Sequence, residues 1–129
     1  MINYGFTKEL NITYATVIEL VRAALKKEGF GILTEIDVQG KIKEKLGIDM
    51  NKYIILGACN PPNAYKAILA EENIGLMLPC NVIVYEKSSK TVLSFIRPMV
   101  AMQMVDNVEL QKIAEAVEEQ LKKAFDAIK

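Results

Sequence analysis

The pattern that most restricts the fold of this 129-residue chain lies near its end. Leu110, Ile113, Ala114, Val117, Leu121, Ala124, Phe125 and Ile128 recur every three or four positions. That spacing predicts a long helix with a single apolar stripe. Its other face alternates Glu and Lys and reads as solvated. Asn107 or Asp106 supplies the N-cap. The matching apolar surface comes from "KYIILGA" (52–58), "GLMLPCNVIVYE" (75–86) and "TVLSFIR" (91–97), all of strand character. The last two form a hairpin across "KSSK". Pro79 inside the middle run demands an edge, a bulge or a strand start, because proline cannot donate to a ladder.

The remaining elements follow from local grammar. Residues 3–10 offer a first strand. Thr13 caps a helix carrying Tyr14, Val17, Ile18, Val21, Ala24 and Leu25 on its apolar side, and Gly29 stops it. A strand covers roughly 30–36, and Asp37 caps a short helix ended by Gly47. Asn60 caps the next helix. Pro61 stands at its first position, where a missing N–H costs nothing. Ala64, Ala67, Ile68 and Tyr65 give that helix its apolar side, and Asn73 and Gly75 close it. The order is β-α-β-α-β-α-β-β-α. No linker or repeat divides it, so one domain over 1–129 is expected. The fold class is α+β, two layers, with helices on one face of a mostly antiparallel sheet.

Composition removes several functions. Basic and acidic side chains balance at 16 each, and no basic run exceeds two residues. No field steers nucleic acid or an anionic membrane to such a chain. No apolar run approaches the ~18 residues of a membrane span, and the N-terminus has no signal-peptide pattern. The expected compartment is the cytoplasm, where two cysteines are thiols rather than a structural disulfide. Histidine is absent. That excludes histidine-assisted nucleophiles and histidine-ligated metals.

Four constellations could carry chemistry. Cys59 precedes Asn60 where a strand gives way to a helix, and a helix N-terminus favours a thiolate. It is equally a small side chain at a tight corner. Cys59 and Cys80 could meet if their strands were parallel neighbours, but need not in an antiparallel sheet; a disulfide requires Cα atoms within ~7 Å. Two cysteines under-ligate zinc unless a dimer brings four. Met99, Met102 and Met104 next to thiols would suit Cu(I), or else fill core and interface gaps. Glu35 and Asp37 share a strand face and could act as paired carboxylates, unless Asp37 is spent as a cap. Arg97, at a strand end before Pro98, could bind an anion or pair with Glu35. No Gly-rich phosphate loop is present.

"GFGILTEIDV", "LGACNPPNAY", "IGLMLPCNVIVYE" and "LQKIAEAVEEQLKKA" together resemble the bacterial and archaeal domain of unknown function 302 family, over about residues 14 to 128. The resemblance implies a TBP-like fold, a curved antiparallel sheet with helices against it, and a tendency to small dimers. It implies no reaction. Its characteristic positions fall here on Glu35, Asp37, Cys59, Asn60, Pro61, Pro62, Leu78, Pro79, Cys80 and Asn81. The methionine-rich "RPMVAMQM" is not part of what the resemblance supports.

The expectation is a homodimeric cytoplasmic module that binds a small molecule, without cofactor, nucleic acid or membrane. Its pocket lies beside the two Cys-Asn corners. Glu35, Cys59, Asn60, Cys80, Asn81 and Arg97 are its candidate residues, with the two asparagine amides orienting the ligand. The first alternative is a redox sensor or enzyme with Cys59 as thiolate nucleophile and Cys80 as resolving thiol. The second is a Cu(I) or zinc carrier using Cys59, Cys80, Met99, Met102 and Met104.

Overall fold

The computed structural model describes residues 2–129. Its elements run β1 (Gly5–Leu10), α1 (Tyr14–Lys27), β2 (Gly31–Asp37), α2 (Val38–Leu46), β3 (Tyr53–Cys59), α3 (Pro61–Ala70), a 3-10 segment (Glu72–Met77), β4 (Cys80–Lys87), β5 (Lys90–Ile96), α4 (Pro98–Ala101) and α5 (Val108–Ala127). The expected order holds, with two short additions, the 3-10 segment and α4. The apolar run "GLMLPCNVIVYE" begins its strand only at Cys80. Its first residues are helical, because a short apolar run carries no periodicity that separates strand from helix. Pro79 therefore stands immediately before a strand, where its missing N–H is harmless.

The caps form as the side chains dictate. Thr13, Asp37, Asn60 and Asn107 each accept from a backbone N–H three residues on. At the end of α1, Gly29 takes φ +83°, and the N–H of Phe30 turns back to the Leu25 carbonyl. This left-handed corner satisfies carbonyls that the helix end would otherwise leave bare. Ser88 and Ser89, both at positive φ, make the tight β4–β5 turn.

All strand pairs are antiparallel, in the order β1-β5-β4-β3-β2. Alternation sorts the side chains into two faces. Leu56, Ala58, Cys80, Val82, Val84, Leu93 and Phe95 meet Val17, Val21 and Leu25 of α1 and Val117, Leu121 and Phe125 of α5 in the main core. A smaller cluster of Ala67, Ile74, Met102, Leu110 and Ala114 joins α3 to α5. The opposite face carries the cross-strand row Ile36, Ile55, Ile83, Ser94 and Thr7. Beside that row Tyr53 and Tyr85 stack with ring centroids 5.2 Å apart. Its isoleucines and tyrosines belong to neither core cluster.

The polar face of α5 is not wholly solvated. Glu118 is buried and accepts from Arg97 Nε and Nη2, both at 3.1 Å. Its second oxygen accepts the Met99 N–H. This pairing ties the segment after β5 to α5. No helix among the described residues is long and apolar enough to cross a membrane.

Candidate functional site

Three local devices converge where β3 ends. The first is the Asn60 cap with Pro61, which starts α3 directly after Cys59. The second is a bulge in β2. Ile32 pairs with Ala58 and Thr34 with Gly57, which leaves Leu33 as the extra residue. A bulge re-aims the side chain it carries, and Leu33 stands two-thirds exposed, 66%. The third is Gly57, enclosed between Thr34 and the Pro79 ring, with no room for a Cβ.

Between the start of α3, Leu33 and α5 lies a cavity of about 270 Å³. Both cysteines line it, with Pro79, Ala64, Ala67 and Met102 among their neighbours. The size falls just below the ~300–1,000 Å³ usual for small-molecule pockets. α3 and α5 can flank the space because they present small residues, Ala64, Ala67 and Ala114, where a larger side chain would fill it. The distance between the helices is held at one end by Asn107. Its Nδ2 donates to the Ala70 carbonyl at 2.8 Å while its Oδ1 caps α5.

The cysteines are one register step apart. Cys80 lies opposite Ala58, and Cys59 follows Ala58 to face Gly31 in β2. Antiparallel pairing thus brings the two corners to one cavity. Both thiols are free. Burial pushes the Cys59 thiol up, which is opposite to the shift expected from the adjacent helix N-terminus. Burial, and then the neighbouring Cys59, push Cys80 up to about 11. Desolvation disfavours the charged form of both, so both stay thiols at neutral pH.

The other sequence candidates are dispersed. Asn60 lines the cavity, with Oδ1 used as the α3 cap. Asn81 does not line it. It pairs with Gly57 on the opposite sheet face and is exposed. Glu35, on the edge strand, meets Arg22 at 2.6 Å, and Asp37 is the α2 cap. The two carboxylates therefore form no acid–base pair. Arg97 pairs with Glu118 and not with Glu35. Of Met99, Met102 and Met104, Met102 alone lines the cavity, and Met104 is 81% exposed. Among the described residues, no three of Cys, Asp and Glu cluster as metal ligands.

Sequence reasoning missed Phe30, Leu33, Ile113 and Val117 in the wall. The alanines of α3 and α5 carried a usable signal, since small residues on two apolar stripes leave space between helices. Nothing local announced the Leu33 bulge.

The profile of the family described as "Domain of unknown function DUF302" matches residues 6–128. The chain belongs to the DUF302 family. The crystal structure of an uncharacterized conserved DUF302 protein from Bacillus stearothermophilus superposes with a TM-score of 0.91, at 29% identity over 98% of each chain. No curated protein matches. The DUF302 assignment agrees with the two-layer α+β architecture and attaches no activity to the cavity.

Proposed function

We propose that this DUF302 chain is a binding module for a small molecule, and that the cavity at the end of β3 is its site. The observation that carries this reading is the cavity itself, bordered by both cysteine corners and by the bulge residue Leu33. Close packing is the rule in protein interiors, and a void between two helices costs stability that filling would recover. Ala67→Phe and Ala64→Leu fill the space from α3. The test is a ligand screen by thermal shift, repeated on both variants. Ligands that stabilise the native chain and lose their effect in folded, filled variants support the reading. Stabilisation that is unchanged by filling overturns it.

We further propose that two copies pair through the open sheet face. The row Ile36, Ile55, Ile83, Ser94 and Thr7 and the Tyr53–Tyr85 stack are themselves uncharged, and Glu9, in register with the tyrosines through Val92, stands at the outer strand β1. Sedimentation of native protein and of Ile83→Lys tests this. A native dimer that the lysine dissociates is expected, and a native monomer at high concentration contradicts it.

The thiol-redox reading has weaker support, because burial raises both thiols and disfavours the attacking thiolate. The soft-metal reading retains Cys59, Cys80 and Met102 in one cavity, without Met99 or Met104.

A further inference from the structure

Resting on that binding reading, we infer the class of ligand: an uncharged, unbranched hydrocarbon chain whose tail enters the cavity and whose polar end stays outside. No charged side chain contributes to the cavity wall. The polar side chains that do, Asn60 and Asn63, stand together at the start of α3. Asn60 Oδ1 is already held by the Asn63 N–H, and Asn63 Nδ2 by Gln120 Oε1. A charged group placed inside would lose its hydration and find no counter-ion, a cost that keeps charge out of the cavity. A hydrocarbon loses nothing by the same transfer and gains from burial.

The apolar surface also continues outside the cavity, which distinguishes a chain from a compact molecule. Leu33 and Ile68 belong to the wall and are also exposed, at 66% and 43%. On α3, Tyr65 stands one turn before Ile68 and is itself 65% exposed. A ring that filled the cavity would leave this rim bare. A chain longer than the cavity would cover it. The wall is adaptable on its inner side, since Met102 is unbranched and reshapes readily.

The experiment is calorimetric titration with straight-chain primary alcohols of increasing length, and with indole as a compact apolar probe. It uses native protein, Ala67→Phe, Ala64→Leu and Leu33→Asp. Burial of each added methylene predicts an affinity gain of about fourfold for the native chain. In either filled variant the gain stops at a shorter alcohol, and Leu33→Asp weakens the long alcohols more than the short ones. Indole that binds the native chain, is lost on filling, and outranks every alcohol overturns the chain assignment and leaves the pocket reading standing. Affinities that climb equally in native and filled proteins overturn both, because the chains then adsorb elsewhere. Two filled variants are used so that a folding failure in one still leaves the comparison.

Discussion

Arg97 and Glu118 form a partly buried ion pair between the end of β5 and α5, with the carboxylate spread over three donors. The Glu118 side chain is far less exposed than that of Arg97, 10% against 33%, so the two partners are not equivalent. Removing the arginine strands a buried carboxylate. Arg97→Ala is expected to cost roughly 2–3 kcal/mol, below the largest losses for fully buried pairs because the guanidinium is partly wet. Glu118→Gln keeps an acceptor for the Met99 N–H and should cost less. Urea denaturation of both variants checks the ordering.

Gly57 is held between strand and proline. A Cβ there would meet Pro79 Cγ at 2.6 Å and clash with Thr34 Oγ1. Gly57→Ala should destabilise by about 1–3 kcal/mol, the range of core overpacking. Thr34→Ala in the same chain should recover part of the loss, since it removes one of the two obstacles and leaves the proline ring. A double-mutant cycle measures the recovery.

Cys80 gives stability a defined alkaline limb. Its thiol rises from an ordinary 9.0 to about 11 on folding. The folded state then holds a proton that the unfolded chain releases. The contribution is intact below about pH 9 and is lost as pH climbs through 11. One proton corresponds to a slope of ~1.4 kcal/mol per pH unit. Tyrosines and lysines titrate in the same range, so the readout is the difference between native protein and Cys80→Ala. That difference should change between pH 9 and 11 and stay constant between pH 6 and 8.

Lys8 closes the C-terminal end of α5. Its Nζ donates to the Phe125 carbonyl at 2.7 Å and to that of Ile128, and lies 4.1 Å from the centre of the Phe125 ring. Lys8→Met keeps the apolar stem over the ring and removes the donors. The expected loss is about 1–2 kcal/mol, with amide exchange in the last turn of α5 accelerating more than in its first turns.

What the sequence disclosed depended on the range of the interaction. The caps Thr13, Asp37 and Asn60 and the stop at Gly29 were legible because each acts on neighbours within one turn. The apolar stripe of α5 was legible for the same reason. Glu118 was not, since its partner lies on another element. The orientation of Asn81 was also legible. Cys80, Val82 and Val84 alternate into the core, so Asn81 must face away with Ile83 and Tyr85. The meeting of the two cysteines required the antiparallel register, and no residue near either one states which strands pair.

The extra residue in β2 has a consequence for the company this chain keeps. β2 is the outermost strand on its side of the sheet, and a straight outer strand offers free N–H and C=O groups to any passing chain. The Leu33 irregularity interrupts that row halfway, and Glu35 and Asp37 follow it on the same strand. A stranger's strand aligned on Gly31 and Ile32 would fall out of step before reaching Glu35. The bulge that sets Leu33 in the cavity wall therefore also breaks the β2 edge as a template for a further strand.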